Sequence, residues 1–294
     1  MNRIWQEIFG AGLVRSSGDF GINGEMPSHP ELLDWLAVDF RENGWNIKAF
    51  IKQVVCSATY RQSSSTTPEK VERDPQNRLL ARGPRFRMDA EAVRDSALAV
   101  SGLLSPKLGG PSVKPYQPEG VWEAVAMIGS NTRDYRADSG DALYRRSLYT
   151  FWKRSAPPAS MEIFNAPNRE TCTVRRERTN TPLQALVTLN DPQFVEAARK
   201  LAEVSLAAGG GDFSKTLDAM ARRLVSRSFR PEEVAVIRAS FDDLSAFYKG
   251  HPKEAGELLA VGASKPSEAF DRATLAGWTM LANQLMNLDE VINK

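Results

Sequence analysis

The side chains that could do chemistry are concentrated between residues 145 and 189. This stretch contains eight Lys or Arg residues, three Glu residues, several aromatic residues and one cysteine. Arginine presents a planar fork to carboxylate, sulfate or phosphate, and tyrosine and tryptophan present flat faces to sugar rings or bases. The stretch therefore predicts a surface for an anionic or polar ligand. The candidate ligand-binding residues are Tyr149, Trp152, Lys153, Arg154, Arg175, Arg176, Arg178 and Asn180.

The same residue types also have a purely structural interpretation. Arginines buried between helices pair with carboxylates and carbonyl oxygens, and aromatic rings fill a hydrophobic core. The two interpretations differ in one respect: the arginines either line an open pocket or lie beneath the helices. The sequence leaves both open.

The two cysteines are expected to differ. Cys172 lies among arginines, and because nearby cations favour the thiolate of an exposed cysteine, it is the candidate reactive thiol. Cys56 falls in a helical pattern with Phe50 and Val54, which predicts a small buried residue. An inert packed cysteine is the alternative at both positions. No CxxC or CxxCH motif occurs, so this chain has no covalent c-type haem site of its own.

Catalytic signatures are mostly absent from the sequence. It contains no GxSxG, no phosphate-binding loop, no GxGxxG and no HExxH. With His29 and His251 as the only histidines, a multi-histidine metal site is excluded and no metal is expected. Asp138 and Asp141 could ligate a hard cation such as calcium, but they lack the spacing of a known calcium loop. Whether the chain is an enzyme stays open.

Composition and charge narrow the class of protein. The chain has 294 residues, 42% of them hydrophobic and 25% charged, as in ordinary globular proteins. Its apolar runs are too short to cross a bilayer, and no signal-peptide pattern opens it. Its net charge is +2, and acids are interspersed with its basic residues, so we expect no nucleic-acid partner. The abrupt amphipathic start indicates a piece of a longer protein.

The elements that must position these residues are predicted to be mainly α-helical. Ser28–Glu31 and Thr181–Gln184 have capping-box spacing, and Asn46 and Asp191 are predicted to cap helices as well. Long loops separate the helices, and Arg146–Trp152 is aromatic and β-branched enough to predict a short strand or half of a hairpin.

The sequence also predicts a boundary. The three consecutive glycines at residues 209–211 predict a division between a loop-rich core at residues 1–207 and a C-terminal helical subdomain at residues 212–294. We therefore expect an irregular multi-helix globular domain in two parts.

Six segments of the chain, in order, resemble the PSD1 domain (DUF1553), a family of unknown function abundant in planctomycetes. The segments are NRIWQEIFGAGLVRSSGDFGINGEMPSHPELLDWLAVDF, GWNIKAFIKQVVCSATYRQSS, DPQNRLLARGPRFRMDAEAVRD, GGPSVKPYQPEGVW, RRSLYTFWKR and RRERTNTPLQALVTLNDPQFVEAAR. They cover roughly residues 2–200. The stretch from Trp278 to Glu290 is similar to the family's usual close, so both predicted parts belong to one family unit.

The resemblance implies a context rather than a reaction. Proteins of this family usually carry a secretion signal, often a cytochrome c domain with haem c, then a DUF1549 domain and then this one. The resemblance thus implies export to the periplasm or the exterior, with the DUF1549-like and cytochrome c-like domains as partners. It supplies no catalytic residues. We expect a ligand-binding or accessory module; the alternative is an enzyme acting on polysaccharide, sulfated polysaccharide included.

Overall fold

The computed structural model describes residues 1–294. It contains fourteen α-helices, two short 3-10 helices and only isolated β-bridges, which confirms the predicted mainly α-helical class. No helix is both long and apolar enough to span a membrane. The chain forms two compact units. The first unit comprises Met1–Phe86, Cys172–Arg176 and Lys294; the second comprises Arg87–Thr171 and Glu177–Asn293. The sequence-based division at residues 209–211 stays a prediction.

Four helices build the first unit. They are α1 (Asn2–Phe9), α2 (Pro30–Glu42), α3 (Ile47–Cys56) and α4 (Pro68–Arg73). The Asn46 side chain accepts a hydrogen bond from the Ala49 amide, which confirms the predicted cap of α3. The core is aromatic: the Trp5 and Phe9 rings stack with their centroids 4.2 Å apart. The buried members of this core are Trp5, Ile8, Phe9, Leu13, Leu36, Phe40, Phe50 and Val54.

Ten helices build the second unit. They are α5 (Ala90–Ser101), α6 (Val121–Val125), α7 (Ala159–Ile163), α8 (Pro182–Asn190), α9 (Pro192–Gly209), α10 (Phe213–Leu224), α11 (Pro231–Gly250), α12 (Pro252–Leu259), α13 (Arg272–Met286) and α14 (Asp289–Ile292). Helices α9 and α13 pack together at the centre, where Ala197, Ala198, Ala276 and Ala282 are fully buried. Because alanine is small, the two backbones can approach closely while larger side chains fill the space around them.

A buried polar network joins α9 to the loop that precedes α13. The Glu196 carboxylate, which is fully buried, accepts hydrogen bonds from the Tyr116 and Tyr144 hydroxyls, each at 2.9 Å, and from the Ser264 amide at 2.6 Å. Arg199, also fully buried, donates to the Ser264 carbonyl at 2.6 Å. Burial and the bond to Glu196 raise the pKa of Tyr144, which therefore stays a hydrogen-bond donor at neutral pH. These three hydrogen bonds and the Arg199 guanidinium, 3.9 Å from the carboxylate, offset the cost of burying it.

The prediction of a strand at Arg146–Trp152 was wrong. Ser147–Tyr149 forms a 3-10 helix, and Thr150 makes only an isolated bridge. The backbone nearby is already engaged by α5: Arg94, which is 3% exposed, donates to the Arg145 carbonyl at 2.8 Å, and Asp95 accepts from the Ser147 amide at 2.7 Å. These backbone groups therefore form hydrogen bonds with side chains of α5 and not with a neighbouring strand.

Three local predictions need correction. Helices α2 and α8 begin with the predicted prolines, but neither predicted capping box forms, and His29 rather than Ser28 is the N-cap residue of α2. Cys56 is exposed, not buried. It lies two positions beyond Val54 on α3, and two helical positions rotate a side chain by about 200° away from the buried face.

Candidate functional site

Helix α1 fixes the loop that follows it through two buried amide side chains. The Asn2 amide donates to the Val14 carbonyl and accepts from the Val14 amide, each at 2.9 Å. Gln6, which is 2% exposed, accepts a hydrogen bond from the Ser17 hydroxyl and donates to the Val174 carbonyl at 3.3 Å. Thus a single helix positions both the loop near residue 17 and the chain near residue 174.

The loop is held further by its own contacts. The Ser16 hydroxyl donates to the Asp19 carbonyl and accepts from the Glu25 amide, each at 2.8 Å. A Cβ atom at Gly24 would lie 2.3 Å from the Asp19 carbonyl oxygen, so this close approach requires glycine. The loop is therefore preorganised, and the Ser16 hydroxyl is committed to holding it.

A polar cleft opens between this loop and the 172–176 segment. Its volume is about 510 Å³, within the range of small-ligand sites. We call it the polar cleft; its lining residues are Arg15, Ser16, Ser17, Gly18, Glu25, Val174 and Arg175.

The charges of the polar cleft favour an anion. Arg15 is oriented by Gln76, whose carbonyl accepts from Nη2 at 3.1 Å. Arg175 is exposed and its guanidinium makes no ion pair or hydrogen bond within the chain. Glu25 is the one carboxylate of the lining, and Arg78 pairs with it at 3.3 Å. Two cations thus face a cleft whose single acid is already neutralised.

The support behind Arg15 is itself rigid. Asp74 accepts the amide hydrogens of Arg78 and Leu79, each at 2.8 Å, and so closes the turn that carries Gln76. Burial acts to raise the pKa of Asp74, but these two bonds and nearby guanidinium groups outweigh it, so the pKa lies below its usual value. Asp74 stays charged at neutral pH and keeps the turn closed.

The structure divides the sequence-predicted site residues between the two units. Arg175 lines the polar cleft, and Cys172 and Arg176 lie on the same short segment of the first unit. Cys172 is free and exposed, while Arg176 is half-buried. The remaining predicted residues belong to the second unit: Tyr149, Trp152, Lys153, Arg154, Arg178 and Asn180.

Most of the second-unit residues have partners within the chain. The Tyr149 hydroxyl accepts from the Gly109 amide at 2.8 Å, and Lys153 donates to the Thr132 carbonyl at 2.7 Å. The Trp152 indole donates to the Asn168 carbonyl at 3.2 Å.

Of the other three second-unit residues, two also have partners within the chain. Arg178 lies 3.6 Å from Asp89, and Asn180 accepts a hydrogen bond from Arg87, while Arg154 is exposed. A ligand-binding role for the predicted set as a whole stays a prediction.

Sequence reasoning missed Arg15 and the α1 amides that build the cleft. The signal available was the segment from Arg15 to Gly24, where serines and glycines follow an arginine a few residues after a short helix. This local pattern does not reveal the 172–176 segment, which forms the other wall of the cleft. That segment lies about 150 residues further along the chain and is held by the hydrogen bond from Gln6.

Comparison with protein families identifies the family of this chain. The model of a family described as PSD1, a protein of unknown function (DUF1553), matches residues 1–241. The chain belongs to the PSD1 family. All the residues that line the polar cleft lie within the PSD1 match, as does the buried network around Glu196 except for the loop near Ser264. Comparisons with curated proteins and with solved structures found no significant match.

Proposed function

We propose that this PSD1 domain is a ligand-binding module that holds an anionic group in the polar cleft. The observation that carries the proposal is the exposed, unpaired Arg175 guanidinium facing a cleft that also contains the fixed guanidinium of Arg15. A bidentate arginine contact suits a planar carboxylate or a sulfate oxygen pair. Because one arginine is oriented in advance, little side-chain entropy is lost on binding.

The ligand class follows from the size and openness of the cleft. A volume of about 510 Å³ exceeds what a lone sulfate needs and accommodates a sugar unit that carries it. The cleft is wide open to solvent, which suits a unit within a chain. We therefore infer that the ligand is an acidic carbohydrate, sulfated or uronic.

A binding role is favoured over hydrolysis. Most glycosidases place two carboxyl groups on opposite sides of the scissile bond. The cleft lining contains one, Glu25, and that carboxylate is already paired with Arg78 at 3.3 Å. The enzymatic alternative thus has less support from this site than the binding role.

Isothermal titration calorimetry tests the proposal. A chondroitin sulfate tetrasaccharide and an alginate tetrasaccharide are expected to bind, with affinity falling as salt rises, and maltotetraose is not. Arg175→Gln should weaken binding roughly tenfold or more, since a hydrogen bond to a charged group contributes about 1.5–3 kcal/mol. Arg15→Gln should act in the same direction.

Arg73→Gln is the matched control. Arg73 belongs to the same unit and pairs only with Glu69 on the surface, at 3.0 Å, so its loss should leave the affinity unchanged. Equal affinity of the wild type and Arg175→Gln for the acidic saccharides would show that the cleft is not the binding site. Equal binding of maltotetraose would exclude charge as the basis of recognition.

The resemblance to PSD1 proteins supports a wider proposal about context. The native protein is then an exported bacterial protein in which DUF1549-like and cytochrome c-like domains precede this module, and haem c is carried on the latter. Fractionation of the source bacterium followed by an in-gel haem stain tests this. A haem-positive band in the periplasmic or external fraction is expected, whereas a haem-negative cytoplasmic protein would contradict it.

A further inference from the structure

The second unit contains a cavity separate from the polar cleft. It lies where the ends of α5, α10 and α13 meet the short helix α14, and its volume is about 330 Å³. An apolar cavity of roughly 150 Å³ is enough to bind benzene in a protein interior. The present cavity can therefore hold about twice that amount of hydrocarbon.

The deep wall of the cavity is part of the hydrophobic core. Its buried apolar side chains are Val93, Ala97, Phe194, Met286 and Ile292. The buried hydroxyl of Thr188 also lies there, but the acceptors for its single hydrogen lie within the fold: two carbonyls of α8 and the side-chain oxygen of Asn287. Ser96, which is half-buried, supplies the other hydroxyl of the lining. The deep wall is otherwise apolar, and a polar ligand group placed against it would lose its hydration without compensation.

The mouth of the cavity carries charged side chains. Arg223 is exposed at the rim and makes one hydrogen bond, to the Val100 carbonyl at 3.1 Å, and no ion pair. The rim carboxylate of Glu290 is paired with Arg227 at 2.6 Å. The rim therefore carries one positive charge that the chain does not neutralise.

We propose that this cavity binds a medium-chain aliphatic carboxylate, with the hydrocarbon chain in the apolar interior and the carboxylate on Arg223. The class follows from two features together: a buried apolar wall in a cavity of about 330 Å³, and a guanidinium without an ion pair at its rim. An uncharged hydrocarbon would make no ionic contact with Arg223, and a sugar would place hydroxyl groups against Val93 and Phe194.

Titration calorimetry with decanoate, on the full chain, tests the proposal. Decanoate is expected to bind, decanol at least tenfold more weakly, and acetate not measurably. Arg223→Gln should weaken decanoate binding about tenfold and leave decanol binding unchanged, because decanol makes no charged contact. Arg222→Gln is the matched control: Arg222 is adjacent in sequence but pairs with Asp218 at 2.7 Å and does not line the cavity.

Substitutions that fill the cavity provide a second test of the proposal. Val291→Trp changes a half-buried wall residue of the cavity and should abolish decanoate binding while circular dichroism stays native. Ala97→Phe places bulk at the deep wall and should do the same if it folds. No decanoate binding by the wild type, or undiminished binding by Val291→Trp, overturns the proposal. Neither result bears on acidic saccharides in the polar cleft, which the Arg175 variant tests separately.

Discussion

Arg145 and Arg175 lie in the same basic stretch of the sequence but have different surroundings. Arg145 is 4% exposed, donates to the Pro111 carbonyl at 3.0 Å and covers the Tyr149 ring at 3.8 Å. Arg175 is exposed and has no partner. The sequence predicted an arginine-rich site, but the carbonyls that accept from the Arg145 guanidinium come from a proline-rich loop more than 30 residues earlier. No local pattern encodes that pairing, so the two roles could not be separated from sequence.

Gly262 is a residue at which a single methyl group should be costly. Its φ is +89°, and a Cβ atom there would lie 2.4 Å from the buried Glu196 carboxyl carbon. Gly262→Ala should lower the free energy of unfolding by about 3 kcal/mol or more, since backbone strain and overpacking act together. Chemical denaturation monitored by circular dichroism measures the change.

Gly256→Ala is the control for Gly262→Ala. Gly256 lies within α12 and nothing lies within 4 Å of a Cβ atom placed there, so alanine should raise the free energy of unfolding by up to about 1 kcal/mol. If Gly262→Ala proved as stable as the wild type, the Glu196 network would have to be more adaptable than its contacts indicate.

The two cysteines make a second prediction at this scale. Cys56 and Cys172 are both free and exposed. Ellman's reagent should therefore titrate two thiols in the native protein without denaturant, and one in either Cys56→Ser or Cys172→Ser. A native count below two, rising to two in denaturant, would mean that one thiol is sequestered.

Helix α11 shows how charged groups at one end can fasten an element. Glu233 in its first turn accepts two hydrogen bonds from Arg227, at 2.8 and 3.0 Å, and one from the Arg230 amide at 2.7 Å. These contacts lower the pKa of Glu233 from 4.5 to about 2. Arg227 also binds Glu290 of α14, so the same guanidinium joins two helices.

The sign of the pH effect follows from the lowered pKa. The stabilisation from Glu233 is present above pH 4.5 and is lost as the pH falls towards 2, because protonation of the carboxyl ends the charged contacts. The wild type should therefore have a higher Tm than Glu233→Gln at pH 7, and the difference should shrink between pH 4.5 and 2. Thermal denaturation across this range is the measurement.

Glu232→Gln is the companion variant for this experiment. Glu232 is the neighbouring, more exposed acid and reaches Arg230 only at 3.8 Å, so its loss should change Tm little at any pH. A Tm difference between the wild type and Glu233→Gln that stayed constant from pH 7 to 2 would contradict the role given to Glu233.

At the scale of the whole molecule, the sequence predicted the class of the fold and several helix starts. Those features depend on local signals: Asn46 and Asp191 cap α3 and α9 with their own side chains, as their positions indicate. The polar cleft could not be predicted in the same way. It needs Val174 to meet Gln6 across 168 positions, a contact set by the packing of the first unit and not by periodicity.

The Gln6 contact with Val174 has a consequence for synthesis. The first unit is discontinuous, since Cys172–Arg176 follows Phe86 only after a long intervening stretch. Ribosomes add about 5–20 residues per second, so this stretch takes on the order of ten seconds to emerge. Until then Gln6 has only one of its two partners, and the polar cleft has one wall. The polar cleft is therefore completed late, after the nascent chain has grown well past the helices that support it.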